Sequence, residues 1–304
     1  MKSLLALVFA AGTLSAAPIL YSIAGDGLGV ARQLFEIDVQ AQTATLVVSL
    51  GDGSHSFGGG LAATGSGVFT GIRTDSNGNA DLVSYTSAGI VSPLSTLQPG
   101  LFGGLALSSG SPYWIRNDFL GDSHLETPPS ATTPIGNGFT GGLAWRPEDG
   151  LFYAVANDFL GNSMLYSINS GSATSLPVIM GTAKYGGLAW DSGSGFFYVI
   201  GIDELAESTL YRFAPGDLYL TELFGLGQGF QHASLAVGQD EGVPSGVPEP
   251  GSWALMAAGA ACMAAARIAS RLRLHHRSIP SRLGSGSLHL EHPGDLPRRD
   301  SRIP

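Results

Sequence analysis

Cysteine is all but missing from this chain. The single Cys262 excludes an internal disulfide and any centre built on paired thiolates, so whatever folds must be held by its apolar core. Basic side chains are nearly as scarce: residues 18–246 hold six Lys and Arg against 20 Asp and Glu, a net charge of −14. Neutralising phosphates takes clustered basic groups, so nucleic acid is excluded as a partner, and a lysine-poor acidic surface suits cations, polyols or plain solubility. Histidine in that span is limited to His55, His124 and His232, none beside a Ser or Cys in a nucleophile motif, and neither His-Glu-x-x-His nor Cys-x-x-Cys occurs. Enzyme readings therefore find little support. A glycosidase-type carboxylate pair stays open, because such pairs are defined by distance and not by sequence. Also absent are a Gly-x-Gly-x-x-Gly opening a helix, and any helical 3.6-residue apolar period upstream of residue 247.

What is present is a repeat. Gly-Gly-Leu-Ala occurs at 59–62, 103–106, 141–144 and 186–189, with a weakened Ala233-Ser234-Leu235-Ala236, and the Leu-to-Leu spacings are 44, 38, 45 and 47. After each of the first four comes a turn, a short apolar and aromatic run, an Asp and a second such run, as in Leu151–Asn157, Asp158 and Met164–Asn169. Periods of this size mark arrays and propellers, and four short strands per unit of about 45 residues make one propeller blade. The strands of a unit are termed a (Gly-Gly-Leu-Ala-Trp), b (Phe-Tyr-Ala-Val), c (Leu-Tyr-Ser-Ile) and d (Ser175 to Met180 in the best copy). The first copy, Ile19–Ile23, Asp26 and Leu34–Ile37, begins at strand b, while the last has only strand a. Joined, they would complete one blade from both chain ends and leave no exposed edge. The expected fold is an all-β propeller of five four-stranded blades over residues 18–240, followed by one C-terminal membrane helix. This repeat resembles those of secreted bacterial propellers.

The recurring aspartates are the sharpest chemical feature. Asp75, Asp118, Asp158 and Asp203 each precede the strand c Leu by seven residues, and Asp26 precedes Leu34 by eight. In a four-stranded meander the b–c hairpins share a face with the d–a connections, so these carboxylates are expected beside the segments led by Phe57, Phe102, Phe139 and Tyr185. Asp is a natural hairpin former, because its carboxylate bonds nearby backbone amides, and a role repeated in every blade points to the turn. The alternative is a ligand or metal site. Two near-identical copies, Asn117–Ser123 and Asn157–Ser163, make Asp118, Asp122 and Asp158 the calcium candidates, although neither copy is a complete calcium loop. No other cofactor is implied.

The chain ends carry addresses. Lys2, the apolar Leu4–Ala11 and the small Ser15-Ala16-Ala17 form a secretory signal over residues 1–17, cut by a signal peptidase. After a linker at 241–246 come Pro248, Glu249 and Pro250, an apolar run over 251–266, and Arg267, Arg271 and Arg273. Sixteen residues at helical rise span about 24 Å, short of the roughly 30 Å hydrocarbon core, so this is a marginal membrane helix. The arginines hold its C-terminal side in the cytoplasm and leave everything before Pro248 outside. Residues 247–273 resemble the PEP-CTERM sorting signal of Gram-negative bacteria. That resemblance implies an exosortase as partner, passage through the inner membrane, and a final place at the cell surface or in the extracellular matrix. Residues 274–304, rich in Pro, Ser and Arg, read as a disordered tail. The expected function is that of an exported binding or structural protein of the exopolysaccharide or biofilm layer, the rival being a secreted glycosidase-like hydrolase using carboxylates on the propeller face.

Overall fold

The computed structural model describes residues 17–25, 30–51, 53–129, 131–158, 160, 162–181, 183–230 and 234–238. The chain divides into two units, Met1–Gly242 and Val243–Pro304, and every described residue belongs to the first. The export signal, Asp26, His232, the sorting motif, the apolar run and the tail all lie outside the described residues.

Among the described residues there are strands and no α-helix, and so no helix long and apolar enough to cross a membrane. Strands β1 (Ile19–Gly25), β2 (Ala31–Asp38) and β3 (Thr43–Ser49) open the first sheet. The second contains β5 (Leu61–Gly65), β6 (Val68–Asp75), β7 (Ala80–Thr86) and β8 (Val91–Leu97), with the two-residue β4 (His55–Ser56) also pairing on β6. The third is β9 (Leu101–Ser108), β10 (Ser111–Asn117), β11 (Asp122–Thr127) and β12 (Ala131–Asn137). The fourth is β13 (Leu143–Arg146), β14 (Leu151–Asn157), β15 (Ser163–Asn169) and β16 (Ser172–Ser175), and the fifth β17 (Lys184–Asp191), β18 (Phe196–Ile202), β19 (Ser208–Phe213) and β20 (Thr221–Gly227). The last strand, β21 (Ser234–Val237), pairs antiparallel with β1, with Leu20 opposite Val237 and Ile23 opposite Ser234. Each sheet is an antiparallel meander, and the five are the blades of a β-propeller, numbered 1 to 5 in this order.

The inner strands pack side by side around the axis: β5 on β9, β9 on β13, β13 on β17, β17 on β21, and β21 on β5. The repeated motif makes this possible. The Leu of each copy, at 61, 105, 143, 188 and 235, is buried between blades, where full burial of such a side chain is worth roughly 1.5–3 kcal/mol. Second strands such as β14 (Leu-Phe-Tyr-Ala-Val-Ala-Asn) are covered on both faces by neighbouring blades, so they read as continuous apolar runs and not as an alternation. Aromatic pairs stitch one blade to the next: Tyr21 on Phe69 at 4.8 Å, Tyr113 on Phe152 at 4.7 Å, and Tyr153 on Phe197 at 4.6 Å. Toward the rim the pattern fades, and β3, β8 and β16 are largely exposed.

One strand assignment is corrected. The outermost strand of blade 4 is Ser172–Ser175, not Ser175 to Met180. Pro177 has no backbone donor to continue the ladder. The chain instead leaves the sheet, and Ile179 forms a parallel bridge with Tyr219 of blade 5.

Candidate functional site

The glycine pairs determine the character of the channel. A Cβ on Gly60 would lie 2.5 Å from the backbone nitrogen of Leu105, and one on Gly187 would lie 2.5 Å from that of Leu235. On Gly104 and Gly142 it would press still closer against Leu143 and Leu188. The second glycine of each of the four Gly-Gly-Leu-Ala copies thus faces the motif leucine of the next blade, and at these four places a Cβ would collide with it. In β21 the corresponding residue is Ser234, which is buried and whose hydroxyl has no hydrogen-bond partner.

At one end this ring opens into a cavity of about 1040 Å³ walled by the glycine pairs and motif leucines. Its polar lining comes mostly from blades 4 and 5, with Asn157, Asp158, Lys184, Asp203 and Glu204, joined by Thr140 ahead of β13 and Ser234 of β21. Phe102 and Tyr185 also border it, while Phe57 and Phe139 are sunk in the core away from it. Burial beside the Tyr211 ring pushes the Tyr185 hydroxyl up to about 12, so it is a neutral donor near pH 7.

The aspartates do sit in b–c hairpins. Asp75 Oδ1 accepts from the backbone amides of Asn77 and Asn79 at 2.8 and 2.9 Å, and Asp118 Oδ1 from Leu120 and Asp122 at 2.9 and 3.0 Å. Asp158 Oδ1 accepts from Leu160 and Asn162, both at 2.8 Å, and Asp203 Oδ1 from Leu205 and Glu207, both at 2.9 Å. In each loop the Asp amide also bonds the carbonyl four residues on, at 2.9–3.0 Å. The side-chain amide of Asn79 and then the loop amides hold Asp75 below the usual carboxylate range. Desolvation is the largest single influence on Asp118 and raises it, but the amides of Leu120 and Asp122 and the His124 ring, 3.6 Å away, together bring it below the ordinary value. These carboxylates stiffen the turns. Only Asp158 and Asp203 reach the cavity lining; Asp75 and Asp118 do not. Glu204, one residue beyond Asp203, lines the cavity and makes no hydrogen bond among the described residues. Among the described residues no three His, Cys, Asp or Glu side chains gather in a way that could hold a metal ion.

A set of polar residues not singled out from the sequence locks the blades together. Asn117 Nδ2 donates to the Phe139 carbonyl at 3.1 Å, and the Ser123 hydroxyl donates to Asn117 Oδ1 while accepting from the Phe139 amide at 3.1 Å. One blade on, Asn157 Nδ2 donates to the Tyr185 carbonyl at 3.1 Å and Oδ1 accepts from the Tyr185 amide at 3.2 Å, with the Ser163 hydroxyl donating to the same oxygen. The signal was in plain sight: Asn and Ser stand six apart around each near-identical loop. In blade 5 the places fall on Ile202 and Ser208, and the buried Ser208 hydroxyl has no partner.

No protein-family model matches the chain, and no curated protein sequence does. Solved structures similar to it include TolB from Acinetobacter baumannii, at 11% identity and a TM-score of 0.47, covering 69% of this chain and 54% of that one. The SapL1 lectin in complex with α-methyl fucoside is similar at 6% identity and a TM-score of 0.48, covering 70% of this chain and 83% of the lectin. An engineered GH43 glycoside hydrolase is similar at 14% identity and a TM-score of 0.41, covering 56% and 41%. This chain thus spans about half the length of TolB and less of the hydrolase.

Proposed function

We propose that this is an exported propeller that binds a glycan in its central cavity. The observation that carries the reading is the cavity itself. Residues of the glycine pairs, Lys184, Asp203 and Glu204 border about 1040 Å³ of open space. That supply of donors and acceptors matches a polyol, and Phe102 and Tyr185 border the space with aromatic surface. Glycan-array binding by the purified protein, weakened at least tenfold by Glu204→Gln combined with Asp203→Asn, is the expected result, since a lost charge-assisted bond is worth about 1.5–3 kcal/mol and about 1.4 kcal/mol is tenfold. Unchanged binding in that variant would overturn the assignment. A second reading is kept alive by Glu204: a carboxylate on the cavity that no loop amide engages is the one most available for acid or base chemistry. Release of sugar product abolished by Glu204→Gln would establish a hydrolase instead.

The rest of the reading concerns where the protein goes. The secretory signal at 1–17 and the segment from Pro248 to Arg273 support export followed by exosortase sorting, with the membrane run 251–266 a transient tether and the exopolysaccharide layer the destination. The register of β21 on β1 supports closure of the ring by the two ends of the propeller.

A further inference from the structure

The charges around the cavity are unequal. The carboxylates of Asp158, Asp203 and Glu204 border it against the single ammonium of Lys184, and no Arg or His joins the lining among the described residues. Lys184 makes no ion pair among the described residues, so it leaves those acids unneutralised. Asp158 is engaged within its own loop through both oxygens, Oδ2 accepting from the Asn162 side-chain amide at 2.8 Å. Asp203 is held in place through Oδ1 alone, and Glu204 by no hydrogen bond, which leaves three carboxylate oxygens available on one wall. A concave wall of one sign concentrates its potential in the space it encloses.

A second observation is independent of the acids. Ser234 of β21 stands where the other four inner strands have the second motif glycine, lines the same cavity, and is buried with its hydroxyl unpartnered. A buried hydroxyl without a partner is unfavourable, and the cavity is where a polar guest can supply one. Phe102 and Tyr185 add an aromatic border that suits the apolar face of a sugar ring. We propose that the cavity selects an amino sugar whose nitrogen is a free ammonium and not an acetamide, with the ammonium on Asp203 and Glu204 and a sugar hydroxyl on Ser234. This inference rests on the glycan reading above and names the class of glycan.

The test titrates the purified full-length protein with a short glucosamine oligosaccharide and with the same oligosaccharide fully N-acetylated. The free-amine form should bind at least ~10-fold more tightly, the worth of one charge-assisted bond. Asp203→Asn combined with Glu204→Gln should bring the two forms within ~3-fold of each other, while Asp118→Asn, on a loop that does not reach the cavity, should leave the ratio unchanged. Ser234→Gly, which restores the motif residue, should weaken both forms about 3-fold with the thermal midpoint kept. Equal affinity for the two forms would overturn the amino-sugar assignment and leave the glycan reading standing, whereas binding of neither would remove both. A ratio that survives the double variant, or that falls as far in Asp118→Asn, would trace the preference to overall charge and overturn the proposal. Oligolysine of equal charge competing as well as the amino sugar, or unchanged affinity in Ser234→Gly, would overturn it too.

Discussion

Asn157 and Ser208 show what one side chain contributes to a seam between blades. Asn157 gives both ends of its amide to the Tyr185 backbone, and Ser163 completes its oxygen. Removing it leaves the Tyr185 amide and carbonyl without their side-chain partner in a part-buried seam beside the cavity. Asn157→Ala should therefore destabilise the protein by about 1–2 kcal/mol in chemical denaturation, since each such bond is worth roughly 0.5–1.5 kcal/mol net. Ser208 is the converse case, since its buried hydroxyl already lacks a partner. Ser208→Ala should lie within about 0.5 kcal/mol of neutral or be stabilising. Equal losses in the two variants would refute the clasp as the source of the difference.

At the scale of the element, β21 is only four residues long but carries the largest responsibility. It is the inner strand of blade 1 and touches both β17 and β5. Without it, β1 keeps only β2 as a hydrogen-bonded neighbour, and Leu20 and Ile23, both fully buried, face solvent. Deleting residues 231–304 should thus abolish cooperative unfolding, because an exposed inner edge and lost core come together. A truncated chain with an unchanged thermal midpoint would show that the ring does not need the terminal pairing. The b–c loops obey a different logic. Their Asp–amide bonds are local, so they shape the cavity mouth without joining one blade to another.

For the whole molecule the export proposal turns on which part of the chain is kept. On the sorting proposal, Pro248 and Pro250, which disfavour helix in the residues before them, would present the Pro-Glu-Pro segment as an extended strip ahead of an apolar run too short for a durable anchor. Mass spectrometry of surface material from the native host should find peptides up to the linker at 241–246 and none after Arg267. Abundant mature protein containing Leu288–Pro304 would overturn the sorting proposal.

The blade order was legible from the chain because the features that build it are local and repeated. Gly-Gly-Leu-Ala marks four of the five inner strands since there a Cβ would strike the next backbone, and the Asp-led turns mark the hairpins since a carboxylate caps its own loop. The outer strands were less legible: β16 is short, polar and half exposed, so no apolar pattern marks its bounds and Pro177 ends it early. Tertiary structure alone decided the site. Asp75, Asp118, Asp158 and Asp203 are equivalent along the chain, yet only Asp158 and Asp203 border the cavity. Asn117 and Asn157 matter because Phe139 and Tyr185 come to them from 22 and 28 residues away. A local motif specifies its own turn; which copies of it share a cavity depends on how the blades meet around the axis, and that is a property of packing.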